Sequence, residues 1–369
     1  MSGNIIGERF TVVTFGESHG KCVGVVVDGC PAGLEISEED IQHDLDLRKP
    51  GQSIVTTLRK ETDSVEIMSG VFKGFTTGAP IMMLVRNEDK DSRSYDLIMD
   101  TPRPGHADLV ARQKYGGFND YRGGGRFSGR ITASFVMAGA IAKKLLKETL
   151  GIEIVAYALE IGGIRAENFT IDDARKNRYQ NEVRAPQPEV AERMKTKVIE
   201  TREKGDSLGG IVECVALNVP VGLGEPVFAS LDSDIARITL SIPAVKGIEF
   251  GSGFSSATAT GKQNNDEYLY KDGRVVTKTN NSGGILGGLS NGMPIQYRTV
   301  FKPASSIASK QTTVSLSQSK EVELVVPGRH DPTVVPRAVP VLESTTAIVL
   351  ADHAIRAGLI PPVLKTQGD

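Results

Sequence analysis

The chain has 369 residues, with 43 Lys and Arg against 45 Asp and Glu, for a formal net charge of −2. That balance excludes a global electrostatic pull toward nucleic acid or acidic membranes, so a charged ligand must be held by a local cluster. Tryptophan is absent and aromatic residues make up 5%, which argues against a stacking platform for single strands; the 40 glycines have no triplet period, which excludes collagen and points to tight turns or close backbone approach to a ligand.

The segment from Met1 to Phe10 lacks the apolar core of a signal peptide, and the longest near-apolar stretch, around Ala133 to Ala142, is too short to span a bilayer. Cys22, Cys30 and Cys214 form no disulfide framework and show no zinc-ligand spacing. These features predict a soluble protein of a reducing cytoplasm. In chain order, Val23 to Val27 reads as a strand, and Ser37-Glu38-Glu39-Asp40 as a capping-box start to a helix with Ile41 and Leu45 on one face. A strand is predicted from Ile81 to Val85. Residues 131–150 read as a helix closed by Gly151 and apolar nearly all round in its first half, hence buried. The polar stretch 165–205, with a helix near 189–204, is expected to cover the link between two halves. Strands follow at Ile211 to Val215 and Ile295 to Phe301, then a helix over 344–358 ended by Gly358.

Two internal matches predict a duplication. Gly16-Glu17-Ser18-His19-Gly20 precedes Pro31-Ala32-Gly33-Leu34 by the spacing that separates Gly205-Asp206-Ser207-Leu208-Gly209 from Pro220-Val221-Gly222-Leu223. The twelve residues from Gly70 to Ile81 also match Gly284 to Ile295 in their apolar, Gly and Pro positions. Chance recurrence of Gly-Pro turns explains one such match more readily than two collinear ones. The expectation is one compact α+β unit with similar halves, roughly 8–160 and 205–358.

Candidate chemistry concentrates in Gly/Pro loops. His19, His106 and His330 sit there beside Ser, Asp and Arg, as general acids or phosphate partners would; His43 and His353 lie in helical segments, where packing or surface roles are expected. A metal site from Glu17, His19, His106 and Asp108 has no fixed-spacing ligand pair behind it, and adjacency of Ser18 and His19 does not make a nucleophile pair. The strongest motif is Tyr121-Arg122-Gly123-Gly124-Gly125-Arg126-Phe127-Ser128-Gly129-Arg130, just before a helix. Free amides at a helix start, glycines that permit close approach, and three arginines describe an anion pocket. It is neither a Walker loop nor a dinucleotide fingerprint. Solvated arginines on a surface turn are the plainer alternative. Arg48 closes the capped helix, where a cation also complements the helix dipole. Lys302-Pro303-Ala304-Ser305-Ser306 follows a strand and suits a phosphate or ring-carbonyl contact.

The ordered set Gly16 to Gly20, Arg103 to Asp108, Tyr121 to Arg126, Gly283 to Gly288 and Gly328 to Pro332 closely resembles the chorismate synthase family, from about Gly3 to Ile360, with no extra domain left over. The resemblance implies helices sandwiched between antiparallel sheet layers with internal symmetry, a homotetramer, and a lyase that uses reduced FMN. The implied reaction converts 5-enolpyruvylshikimate 3-phosphate to chorismate and phosphate by 1,4-anti elimination. By the same resemblance His19 lies near the leaving phosphate and His106 near the flavin. Asp331, with the flavin N5, takes part in removing the substrate proton, and Ser18 and Ser128 support this network. Arg48, Arg103 and Arg130 match substrate-binding positions. FMN contacts fall on Arg126, Phe127, Ser128, Pro243, Ala244, Gly287, Lys302, Pro303, Ala304, Ser305, Ser306 and Arg329. No metal is implied. The chain departs from the family pattern at Phe127 and Gly129, at Pro243, and at Ile54, where Arg is associated with nicotinamide nucleotide. NADPH and a separate flavin reductase are the two candidate reductants. A non-catalytic flavin- or phosphate-binding protein is the rival reading, motivated by Phe127 and Pro243.

Overall fold

A computed structural model describes residues 3–51, 55, 62–88, 96–326 and 331–365. Ile54, Arg329 and His330 lie outside the described residues. The first half supplies β1 (Ile5–Ile6), β2 (Thr11–Gly16), β3 (Cys22–Asp28), α1 (Glu38–Arg48), β4 (Val65–Ile67), β5 (Ile81–Arg86), α2 (Asp108–Lys114) and α3 (Thr132–Leu150). The second supplies β6 (Glu153–Ile161), β7 (Ile164–Arg165), α4 (Pro188–Glu203), β8 (Gly210–Leu217), α5 (Leu231–Thr239), β9 (Val245–Phe250), β10 (Ile295–Phe301) and α6 (Val335–Arg356).

Two five-stranded antiparallel sheets form, in the orders β1-β2-β3-β5-β4 and β9-β10-β8-β6-β7. Strand β3 pairs with β2 and β5, so Val25 faces Thr14 and Met83; β8 pairs with β6 and β10, so Cys214 faces Ala156 and Tyr297. Helix α3 packs on the first sheet, α6 on the second, and the two helices pack on each other with α1 and α5 beside them. The architecture is α+β, with helices between sheet layers. Apolar residues on every side of α3 (Val136, Met137, Ile141 and Leu145 among them) are buried in this layer, each large one stabilising by about 1.5–3 kcal/mol relative to exposure.

Local sequence explains the boundaries. Ser37 and Asp40 make the reciprocal capping box that starts α1, satisfying amides that have no partner within the helix. Gly151, at φ 68°, ends α3; without a Cβ it enters the left-handed region at no steric cost. The last helix begins at Val335, nine residues before its expected start at 344. Pro336 sits in its first turn, where the missing amide is no loss, and the helix continues past Pro340. It is long and apolar enough to cross a membrane, but 94% of its most apolar window is buried inside the molecule, which makes it a core helix.

The matched segments are matched in their hydrogen bonds. Thr76 Oγ1 accepts from Leu34 N (2.9 Å) and donates to Pro31 O (2.6 Å). Ser290 Oγ accepts from Leu223 N (2.8 Å) and donates to Pro220 O (2.5 Å). Each follows a two-residue hairpin turn with both residues left-handed: Lys73 at 51° and Gly74 at 82°, Gly287 at 60° and Gly288 at 82°. The sheet order β2-β3-β5-β4 recurs as β6-β8-β10-β9. This pairing sets β6 with the second sheet, although the sequence boundary at 160 assigned it to the first half. The stretch 165–205 then falls inside the second half. There Phe169 packs edge-on to Tyr157 at 5.3 Å, and Ala166 and Ala174 bury Val155, Leu159 and Val215, so the stretch covers the outer face of the second sheet.

Candidate active site

A cavity of about 590 Å³ opens between helix ends and loops of residues 48–132 and 240–341, a size suited to a drug-sized ligand. Its wall takes Arg48 and Pro50 from the end of α1, and Leu240 to Lys246 from the end of α5 into β9. Arg130 to Thr132 come from the start of α3, and Val334 to Val341 from the start of α6. The loops Arg103–Ala107 and Phe301–Ser306 close it.

Of the residues expected at the site, Arg48, Arg103, His106, Arg126, Phe127, Ser128, Arg130, Pro243, Ala244, Lys302, Pro303, Ala304, Ser305, Ser306 and Asp331 line this cavity. Ser18 and His19 are buried just behind it: a Cβ on Gly123 would lie 2.2 Å from His19 Cδ2 and 2.7 Å from Ser18 Oγ. Gly287 is not brought to the cavity; it occupies an exposed hairpin turn with open space around its Cα.

The glycine triplet is a run of three left-handed residues, at φ 60°, 81° and 53°. A side chain at Gly125 would strike Asp120 O at 2.1 Å, and one at Gly124 would press on His106 Cε1 at 3.1 Å. The flanking arginines divide their work. Arg122 pairs with Asp120 at the surface (2.8 Å). Arg126 donates to Gly16 O (2.9 Å), Thr14 Oγ1 (2.8 Å) and Asn4 Oδ1 (2.8 Å), so its guanidinium ties the turn to β2 rather than serving as an anion donor. Arg130 is buried, donating to Asn87 Oδ1 (3.0 Å) and paired with Asp63.

Arg48 is the most informative group. It is 1% exposed, pairs with Asp63 at 3.2 Å, and has Nε and Nη2 without a hydrogen-bond partner among the described residues. Burial pushes its guanidinium down to about 9, against the pull of Asp63, with Arg337 and Arg130 adding to the fall. Arg337 joins the cluster by donating to Asp331 Oδ2 (2.5 Å) and to Arg48 O (3.3 Å). Three arginines therefore face two carboxylates, an imbalance that an anionic ligand group relieves. Arg337 and Asp63 were not among the residues expected from sequence. The signal for Arg337 was its place in the first turn of a helix, where a cation opposes the dipole; Asp63 carries no local signal.

On the opposite wall, Lys302 bonds to Gly105 O and Ser305 Oγ, and Arg103 Nη1 donates to Ser306 Oγ (2.9 Å), clasping the 103–107 loop to the 302–306 loop. Burial, and to a lesser extent Lys246, lower Lys302. Among the described residues no group of three His, Cys, Asp or Glu side chains is gathered to hold a metal.

Burial disfavours the charged forms of Asp63 and Asp108. The arginines beside both, and His106 beside Asp108, outweigh it and hold the two carboxyls below the ordinary carboxylate range. Because the unfolded chain then takes up these protons first, the stabilisation is present above the unfolded value of about 4 and is lost as pH falls below it. Denaturant midpoints measured from pH 7 to pH 3 should drop across the acid end, and Asp63→Asn should flatten that drop; an unchanged slope in the variant would contradict the assignment.

The chorismate synthase family model matches residues 10–355. The chain belongs to the chorismate synthase family. It is 58% identical over 357 residues to a chorismate synthase of Korarchaeum cryptofilum (strain OPF8), covering 97% of this chain and 99% of that one. With a chorismate synthase of Dehalococcoides mccartyi (strain ATCC BAA-2100 / JCM 16839 / KCTC 5957 / BAV1) it shares 51% over 362 residues, covering 98% and 99%. A crystal structure of a chorismate synthase superposes with a TM-score of 0.73 at 34% identity, over 95% of this chain and 93% of the other. The chain is thus an enzyme of the chorismate synthase type, a lyase of the last step of the shikimate pathway.

Proposed function

We propose that the cavity binds 5-enolpyruvylshikimate 3-phosphate beside reduced FMN and releases phosphate to leave chorismate, by 1,4-anti elimination. The observation that carries this reading is the buried Arg48, whose Nε and Nη2 have no hydrogen-bond partner among the described residues, beside Arg130 and Arg337. A preorganised cationic pocket in low dielectric stabilises charge developing on a leaving phosphate far better than water does. On this reading the flavin lies against the other wall, which includes Pro243, Ala244 (φ 72°), Lys302, Ala304 and Ser305. When bound, reduced FMN supplies electron density to the reacting carbon framework and recovers it, without net redox change.

The chain's own groups do the rest. Arg48, Arg130 and Arg337 orient the anionic substrate. His19, packed behind Gly123, and His106 at the wall hold protons where charge changes, and Asp331, positioned by Arg337, is the carboxylate placed to take part in removing the substrate proton. Arg103, on the opposite wall, is held by Asp108 and Ser306. By resemblance Ser18 and Ser128 support this network, and Ser128 Oγ accepts from Arg130 N (3.3 Å). Gly287 and Arg329 enter as flavin contacts by resemblance alone. The departures at Phe127 and Pro243 both lie in the cavity wall.

Anaerobic turnover with chemically reduced FMN, followed by phosphate release, tests the reading; no release under those conditions favours the binding-protein alternative. Oxidised FMN with NADPH, in a parallel reaction, distinguishes an intrinsic reductase from a separate one. The proposal extends to a homotetramer in the cytoplasm. Light scattering of the purified protein tests the assembly. We also propose that the two halves, 5–150 and 153–356, are copies of one unit.

Arg130→Ala should raise the substrate KM by ~10²-fold or more, since it removes a buried cation from the pocket and unbalances Asp63. The exposed His43 on α1 has no such role, and His43→Ala should leave kinetics unchanged. Steady-state kinetics on both decide it, and equal effects would undermine the site.

A further inference from the structure

Asp108 stands at the start of α2, where a carboxylate usually serves the free amides of a helix end. Here it does not serve them. Ala107, the cap residue, makes no side-chain cap bond, and the Asp108 side chain is buried at 6% exposure. Its Oδ2 accepts from Arg103 N (3.1 Å) and Arg103 Nε (2.8 Å). Its Oδ1 accepts from Arg103 Nη2 (2.8 Å) and lies 2.6 Å from His106 Nδ1.

Three donors from one guanidinium and its backbone keep this carboxylate ionised, and an ionised carboxylate has acceptors only. A separation of 2.6 Å between it and an unprotonated ring nitrogen would set lone pair against lone pair. His106 Nδ1 therefore carries hydrogen, and the 2.6 Å contact is a charge-assisted hydrogen bond. Arg103 Nη2, 3.0 Å from Nδ1 and 3.3 Å from Nε2, can only donate, so with Nδ1 protonated the ring acceptor it faces is Nε2. Nε2 is left on the side of Gly124, whose Cβ position lies 3.3 Å from it. Ser306, from the second half, holds the far side of Arg103.

We propose that Asp108 is a positioning residue: it fixes the tautomer and rotation of His106 so that Nε2 is the nitrogen presented to the cavity. This rests on the reading of His106 as a proton-carrying group of the site. A positioning partner of this kind controls which ring nitrogen does the chemistry. Asn at 108 has one acceptor oxygen where four donors converge, so either His106 or Arg103 loses its anchor.

The test begins with nitrogen-15 spectra of the parent protein in alkaline buffer without substrate, His106 being assigned by its loss in His106→Ala. The expected parent signal is the Nδ1–H tautomer. Asp108→Asn should mix in the Nε2–H form and lower kcat by about 10–100-fold, and Asp108→Glu should recover part of both. A parent with the Nε2–H tautomer would overturn the proposal, as would Asp108→Asn with the parental tautomer and kcat. Should Asp108→Asn not fold, the parent spectrum decides alone. Failure of the parent to release phosphate would instead defeat the proposed function and leave the tautomer measurement standing.

Discussion

His106→Ala is expected to lower turnover by about 10²–10⁴-fold, the range for loss of a general acid or base, with little loss of stability. Its side chain is 19% exposed on a loop rather than in the core, and Asp108 keeps all three Arg103 bonds when the imidazole goes. The 103–107 loop also keeps its clasp through Lys302 and Ser305 to Gly105 O. The loss should thus be chemical, not architectural. Anaerobic phosphate release and a thermal melt on the same preparation separate the two. Near-parental turnover would remove His106 from the mechanism, whereas a melt lowered as far as the rate would make its role structural.

Signals that act within a few residues were legible in the sequence. Ser37 and Asp40 cap α1 as their spacing implies, Gly151 ends α3, and the matched Gly and Pro positions of 70–81 and 284–295 fall in two turns that agree in conformation and hydrogen bond. Long-range pairing was not legible. Strand β6 follows α3 by two residues, so proximity in sequence joined it to the first half, while hydrogen bonds to β8, some 55 residues on, place it in the second sheet. The same limit applies at the site. Motifs picked out Arg126 and Arg130 alike, but β2 consumes the donors of one while the other faces the cavity cluster. Asp63, which joins Arg48 to Arg130, is identified only by the fold that buries it.

Gly139→Ala should destabilise the protein by about 1–3 kcal/mol, although alanine is the better helix former by about 1 kcal/mol. Gly139 lies where α3 crosses α6, and a Cβ there would sit 2.2 Å from Ser344 Cβ and 2.5 Å from its Cα. Backbone at that distance cannot rotate away, so the helices must separate. Their first turns form part of the cavity wall, with Arg130 just before one and Arg337 in the other. A shift at the crossing, about two turns distant, therefore moves Arg130 and Arg337 of the cationic cluster relative to each other, and KM should rise along with the loss of stability. Ser344→Gly removes two of the three clashing atoms, Cβ and Oγ, and leaves Cα, so the double variant should recover part of both effects, giving a coupling that separated sites would not show. Denaturant melts and kinetics on the two single variants and the double one measure it. Additive stabilities, or a destabilised Gly139→Ala with parental KM, would break the link argued here: that one close helix contact between the halves sets the spacing of the pocket they share.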